Sequence, residues 1–423
     1  MVVADETLTR KNTPMATCWP FVIRCVAASA EHGMHRSSGF GLQCRGEHPT
    51  MCAQQARDGR ARFSSCLRHQ NRWQACRLLI ATDSVTGGAR IEFGPAEVLK
   101  VEELPVALPA PGEVQVRVQA IGVTWYDVLW RQNLASSQAR LPAGLGSEMA
   151  GVITAIGDGV TDLKVGDKVA SFPSADVNVY PVYGELILLP QTSVTRYPDV
   201  LTPNEAAVHY TPMLVAYFAF VELARAKPGQ TALVTDASHC AGPAFLQLGK
   251  ALGINVIAAT KTEACRDYLL KMGADKVIVT EEEDLLLTIN RYTDNRGVDI
   301  VLDGLGGPQM SILGDVLAPR GSLILYGLQG GNQTPFPACA AFQKNIQFFV
   351  HCVGNFTGKP ELGIKQDEEA IKRALRDINQ MTADGMLLPQ ITKVFPFDQL
   401  VEAHRLMDGC PVGGRVVVEV DPS

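Results

Sequence analysis

From Ala89 onward the chain runs in short alternating apolar and polar stretches broken by Pro and Gly. Val114, Val116 and Val118 fall on one face of EVQVRVQAI, and a period of two predicts a half-buried strand. AGVITAIGDGV, KVGDKVASF and GELILLP repeat the pattern, so residues 85–205 are expected to form a turn-rich, antiparallel β domain. The period then changes. Thr202 stands as an N-cap, Pro203 at the first helical position and Glu205 where a capping box closes, which predicts a helix start. Beyond it, TALVTDA, AGPAFLQLGKALG, INVIAAT, TEACRDYLLKMG, DKVIVT, EDLLLTINRYT, VDIVLDGL, QMSILGDVLA and GSLILYGL alternate apolar strands with amphipathic helices. Strict β and α alternation implies right-handed crossovers and a doubly wound parallel sheet, here over residues 206–354. In residues 355–423, VFPFDQLVEAHRLMDGCPVGGRVVVEV reads as a helix, a Gly turn and a Val-rich strand that returns to the first domain. The fold class is α/β, with a β-rich domain beside a dinucleotide-type domain.

Residues 1–84 carry no sustained periodicity and predict no fold; RDGRARFSSCLRHQNRWQACR mixes Arg, Cys, Ser and Gln without an apolar face. This stretch reads as a disordered or artefactual extension. An organelle-targeting leader is the alternative, against which Asp5 and Glu6 stand at its start. Charge divides the same way: residues 1–80 carry +6 and the remainder −12. An acidic folded part argues against nucleic acid as a partner, and no apolar run reaches the roughly 18–20 residues of a membrane span. Of 11 cysteines, six lie in the first 80 residues and five stand singly at 240, 265, 339, 352 and 410, with no C-x-x-C pair. Reduced thiols and a cytoplasmic setting are the expectation.

The first strand-to-helix turn of the parallel sheet is VTDASHCAGPAF, where Gly242 is the one glycine and Ala237, Ser238 and Ala241 are small neighbours. Small residues let backbone amides approach a pyrophosphate, and the helix from Gly242 would aim its positive end at it. The alternative is a tight turn with no ligand. Ser238, His239 and Cys240 are consecutive, so a nucleophilic triad is not expected from them; Asp236 is anomalous, being an acid beside a phosphate site. The second strand ends in AATKTEACR, where NAD-binding chains place an acid that accepts from the ribose hydroxyl. Thr260, Lys261 and Arg266 stand there instead, a set that favours the 2′-phosphate of NADP(H), unless they form only a solvated helix start.

These residues resemble the medium-chain dehydrogenase/reductase superfamily, specifically its zinc-independent quinone-oxidoreductase-like branch. FGPAEVLKVEELP, GEVQVRVQAIGV, GSEMAGVITAIGDGVTDLKVGDKV, VTDASHCAG, GADKVIVTEEEDL, VDIVLDGLGG, GSLILYGL and FPFDQLVEAHRLMDG…GGRVVVEV carry the resemblance over residues 89–420. It implies a GroES-like catalytic domain, a Rossmann domain and a homodimer. Zinc members have Cys at the position of Thr124 and His at that of Ser147, and no Cys or His lies between Cys76 and His209. A catalytic zinc needs about three N, S or O ligands, so no metal is expected. What the resemblance then implies is hydride transfer from NADPH to the β-carbon of an enone or quinone, a small-molecule substrate. The catalytic candidates are Thr124, Tyr126, Asp127 and Arg131 in VTWYDVLWRQ; Asp127 as a helix cap with core aromatics is the structural alternative. Ser238, His239, Cys240, Ala241, Gly242, Thr260, Lys261, Arg266, Gly304, Tyr326, Gly327, Leu328 and Arg415 are the cofactor candidates. A carbonyl or alcohol dehydrogenase, or an NADPH-binding protein without turnover, is the other reading. A fluorescence titration is expected to show NADPH bound more tightly than NADH; the reverse order would overturn the assignment of Thr260, Lys261 and Arg266.

Overall fold

A computed structural model of the protein describes residues 84–90, 92–359, 362–411 and 413–420; the remainder of the 1–84 extension lies outside the described residues. β1 (Ser84–Arg90) pairs antiparallel with β2 (Lys100–Pro105), so strand structure begins five residues before Ala89. Next come β3 (Glu113–Val123), α1 (Trp125–Arg131), β4 (Met149–Ile156), β5 (Lys168–Ser171), β6 (Leu186–Pro190) and β7 (Val194–Arg196).

β3 is the hub of this sheet, antiparallel to both β4 and β6. The face carrying Val114, Val116 and Val118 is buried, but the strand is more enclosed than a period of two predicts, because Gln115 is buried as well. Its amide is satisfied there: Nε2 donates to the Ala107 carbonyl at 2.7 Å and Oε1 accepts from Thr154 Oγ1 at 2.8 Å, as burial of a polar group demands. β3 and β4 approach so closely that a Cβ at Gly151 would sit 2.1 Å from the Arg117 carbonyl oxygen.

The predicted capping box forms at α2 (Pro203–Ala207), where Thr202 Oγ1 accepts from the Glu205 amide and Glu205 answers the Thr202 amide at 2.8 Å. This helix stops after five residues and α3 (Tyr210–Tyr217) begins beyond His209. Pro212 explains the break, since without an N–H it cannot bond back to Val208. α3 runs on into a π-helical turn over Phe218–Leu223.

The second sheet follows as β8 (Thr231–Val234), α4 (Gly242–Ala251), β9 (Asn255–Thr260), α5 (Arg266–Lys271), β10 (Lys276–Val279), α6 (Leu285–Tyr292), β11 (Val298–Asp303), α7 (Met310–Leu313), β12 (Leu317–Leu325), α8 (Ala338–Lys344) and β13 (Gln347–Val350). All pairs are parallel in the order β10-β9-β8-β11-β12-β13. The direction of winding reverses between β8 and β11, and ligands of such sheets bind in the crevice outside the strand ends at that point. β8 is buried along its whole length, as a central strand covered by helices on both faces requires.

The chain then turns through α9 (Gly354–Thr357) and α10 (Glu368–Ala383), which is tied to α3 by polar contacts: Tyr210 Oη donates to Asn379 and Tyr217 Oη to Asp377, each at 2.6 Å. After β14 (Ile391–Pro396) and α11 (Leu400–Asp408), β15 (Arg415–Glu419) pairs antiparallel with β3. The tail thus joins the first sheet by a strand-to-strand ladder. Among the described residues no helix is long and apolar enough to cross a membrane. Thr202→Ala should cost about 1 kcal/mol of stability through loss of the cap, measured by urea denaturation.

Candidate active site

A cavity of about 550 Å³ opens beside the first sheet, walled by Thr124, Tyr126, Trp130, Ser147, Glu148 and Thr211, with Cys352–Lys359 closing another side. Its volume lies within the usual range for small-molecule sites. Thr124 is placed there by a second capping box. Its Oγ1 accepts from the Asp127 amide at 3.1 Å, while Asp127 Oδ2 receives both the Thr124 amide and the Thr124 hydroxyl at 2.8 Å. Tyr183 Oη donates to the same oxygen at 3.2 Å. Asp127 lies behind the wall, 2% exposed. Burial pushes its carboxyl up to about 7, aided by the charge of Glu148 and opposed by the Thr124 and Tyr183 bonds.

Tyr126 and Trp130 sit together on the cavity side, ring centroids 6.2 Å apart. Arg131 does not join them, which corrects its reading as a catalytic candidate. It is fully buried, with Nη1 donating to the Gly94 carbonyl at 3.1 Å and Nη2 paired with Asp408 on α11. The acid on α11 draws this guanidinium to the side of α1 away from the cavity.

Ser147 and Glu148 precede β4. Glu148 is 1% exposed and its Oε2 takes Arg415 Nη2 at 2.5 Å. Burial raises this carboxyl, and the Arg415 charge acts against that rise. Arg415 in turn borders a second, small cavity of about 40 Å³ that also touches His209, Ser238 and Cys240. The ion pair therefore spans from the large cavity to the turn after β8.

That turn holds two non-glycine residues in left-handed conformation, Asp236 at φ 47° and Cys240 at φ 48°. Gly242 opens α4 where a Cβ would meet the Ala237 carbonyl oxygen at 2.3 Å. Asp236 Oδ1 lies 2.7 Å from His239 Nδ1, and Ser238 Oγ lies 3.2 Å from that same nitrogen. Ser238, His239 and an acid from the same turn, Asp236, thus meet. They make no relay, because a triad uses opposite ring nitrogens and here both partners share one. The carboxylate of Asp236 is engaged by the imidazole, which accounts for an acid in this turn.

Loops after β11 and β12 complete the crevice. Thr235 Oγ1 donates to Asp303 Oδ1 at 2.6 Å and accepts from the Gly304 amide at 3.1 Å. Gly304 and Gly327 touch backbone to backbone, so that a Cβ on Gly327 would fall 2.2 Å from the Gly304 oxygen; the Tyr326 ring covers Gly304, and Leu328 is exposed. Gln329 Nε2 donates to Cys240 Sγ at 3.0 Å. Ala241 is the residue before α4. At the end of β9, Thr260 is buried with Oγ1 3.4 Å from Ser238 Oγ, and Lys261 is exposed 3.7 Å from Glu281. Arg266 is not available at this edge, a correction to its reading as a phosphate ligand: Nε is held by the Glu263 carboxylate at 2.7 Å, Nη1 by the Val277 carbonyl and Nη2 by Glu283. Tyr183 and the Cys352–Lys359 wall escaped the sequence reading, being distant in the chain and lacking any local motif.

The Asp127 carboxyl gives a pH dependence of fixed sign. With a folded value near 7 above the unfolded 3.8, the native state holds the extra proton, so the stability it contributes is full below about pH 4 and is lost as pH rises through about 7. Relative to wild type, Asp127→Asn should therefore gain stability between pH 5 and pH 8, read from paired urea melts; a difference independent of pH would refute the shift.

Residues 110–199 match the family model of the alcohol dehydrogenase GroES-like domain, and residues 241–370 that of the zinc-binding dehydrogenase. The synaptic vesicle membrane protein VAT-1 homolog of Rattus norvegicus is 27% identical over 348 residues, covering 78% of this chain and 83% of that protein. A mycocerosic acid synthase-like polyketide synthase of Mycobacterium tuberculosis is 27% identical over 342 residues, covering 80% of this chain but only 16% of the synthase. Among solved structures, Escherichia coli quinone oxidoreductase complexed with NADPH superposes with a TM-score of 0.69 at 25% identity, covering 78% of this chain and 99% of that one. With two matching domain models in the expected order, on a fold that has both expected sheets, the chain belongs to the medium-chain dehydrogenase/reductase superfamily, in its quinone-oxidoreductase-like branch.

Proposed function

We propose that the protein is an NADPH-dependent, zinc-free oxidoreductase that reduces an activated double bond in an enone or enoyl compound, or a quinone, as a step in biosynthesis. The observation that carries this reading is the large cavity walled by hydroxyls at the two positions, Thr124 and Ser147, where zinc members hold Cys and His. Hydroxyls are poor zinc donors beside thiolate and imidazole, and the nearby Glu148 carboxylate is already engaged by Arg415. The donor set does not fit a catalytic zinc.

It fits a dinucleotide. The amides of Cys240 and Ala241 have no backbone acceptor among the described residues, and they stand at the start of α4, where a helix terminus favours phosphate. Lys261 faces solvent at the end of β9, the side on which a 2′-phosphate would lie. When bound, the reduced nicotinamide supplies a hydride to the β-carbon of the substrate. The protein's part is positioning: Tyr126 offers its hydroxyl to the substrate oxygen, Thr124 presents its own toward the reacting carbons, and the Trp130 and Val353 side of the cavity keeps water from them. A homodimer fits β13, an edge strand with Val350 65% exposed and Phe342 on the neighbouring helix 91% exposed, since such edges invite strand addition.

NADPH consumption with panels of enones, enoyl thioesters and quinones tests the reading. Turnover that survives chelator treatment is expected, and loss of turnover on chelation, restored by zinc, would sink the mechanism. Lys261→Glu should raise Kd for NADPH about tenfold while leaving NADH nearly unchanged, a difference of about 1.4 kcal/mol.

A further inference from the structure

We propose that the Thr124 hydroxyl delivers the proton that completes the reduction, and that Asp127 is the positioning residue which turns that hydroxyl toward the cavity. The proposal rests on the double-bond reduction proposed above. A hydroxyl has one hydrogen to give and two lone pairs. One lone pair of Thr124 Oγ1 faces the Asp127 amide at 3.1 Å, and Asp127 Oδ2 lies 2.8 Å away in another direction. With Asp127 ionised, the Thr124 hydrogen is drawn inward to that carboxylate and the cavity meets only an acceptor. With Asp127 protonated, its own O–H donates to Thr124 Oγ1. The Thr124 hydrogen is then released toward the cavity that Thr124 lines.

The step balances. Hydride addition to the β-carbon leaves the substrate as an enolate. Thr124 gives its hydrogen to the α-carbon of that enolate, the Thr124 O–H bond breaking as the new C–H bond forms. The Asp127 proton passes to Thr124 Oγ1, leaving a carboxylate that accepts the hydroxyl in the 2.8 Å contact present here. After the product leaves, cavity water returns a proton to Asp127 through the same hydroxyl. Nothing else is oxidised or reduced.

The surroundings suit a carboxyl that exchanges one proton near neutrality. Tyr183 donates to Asp127 from the other side, and the His404 ring of α11 packs edge-on against Tyr183 with centroids 5.7 Å apart. Burial and the neighbouring Arg131 hold His404 neutral by lowering it to about 3. Arg131 is neutralised by Asp408, and Glu148, the acid whose charge acts on Asp127, is paired with Arg415. Beside the Thr124 amide at 2.8 Å, Asp127 thus faces one hydroxyl that reaches the cavity, one phenol, and one acid whose charge is shared with a guanidinium. A purely structural capping box, such as the one at Thr202 and Glu205, has none of this: its Thr is exposed and its carboxylate only partly buried.

The test compares Thr124→Val, Thr124→Ser, Asp127→Asn and Tyr126→Phe. In wild type, kcat should be level at low pH and fall about tenfold per pH unit above neutrality. Thr124→Val should lower kcat about 100-fold with Kd for NADPH, read by fluorescence, unchanged within twofold; Thr124→Ser should restore kcat to within about threefold. Asp127→Asn should lose the basic limb. An infrared titration of the cofactor-free protein should show a carboxylic acid band that disappears past neutrality in wild type and is missing in Asp127→Asn. If Thr124→Val does not fold, Thr124→Ser and Asp127→Asn still decide. Unchanged kcat in Thr124→Val, a basic limb that persists in Asp127→Asn, or loss of the proton-transfer step in Tyr126→Phe alone would overturn the proposal. Wild type that consumes no NADPH with any acceptor instead removes the function on which it rests.

Discussion

Glu148 and Arg415 meet across the line where the last strand of the chain joins the first sheet, and both would be costly without the other. A carboxylate 1% exposed loses nearly all its hydration, and removing one partner of such a pair typically costs about 3–5 kcal/mol because the other charge is left stranded. The pair does more than join β15 to the sheet. Gly122 on β3 leaves no room above the Glu148 carboxylate, since a Cβ there would lie 2.7 Å from Oε2. The acid is thereby fixed in the wall of the large cavity, while its guanidinium partner borders the turn after β8. The wall of the large cavity and the turn after β8 are coupled through this one ion pair.

The turn after β8 shows how a tight strand-to-helix loop is built with few glycines. Asp236 and Cys240 take left-handed conformations that cost of order 1–3 kcal/mol each for side chains with a Cβ. The local bonds offset part of this: Asp236 to His239, and Gln329 to Cys240. The Gln329 contact also ties the loop to that following β12, so the crevice at the switch point is held by side chains rather than by a glycine backbone alone.

The periodicity carried most of the fold. Parallel strands buried on both faces read as continuous apolar runs, and both capping boxes were written locally, in Thr202 to Glu205 and in the Thr124 and Asp127 spacing. The site was only half legible. Thr124 and Tyr126 line the cavity, but Arg131 turned to Asp408, far along the chain, and Arg266 to Glu283 as well as to Glu263 in its own turn. The Glu263 and Arg266 spacing was there to be read, whereas the distant partners left no trace in a local window. For the same reason Tyr183, 56 positions from Asp127, had no signal in the sequence, and the helix break at Pro212 was visible only once the missing amide was counted.

The ladder between β3 and β15 has a consequence for how the protein is made. Val123 pairs with Val416 and Ala120 with Glu419, while β6 covers only residues 113–117 of that edge, so the rest of the edge stays open until the residues up to Glu419 have left the ribosome. The parallel sheet, formed from residues synthesised in between, can close its own core first. The nascent chain therefore spends most of its synthesis with an apolar, unpaired strand edge and an unneutralised Glu148, a state prone to association. A chain cut just ahead of Arg415 loses a central strand rather than a tail.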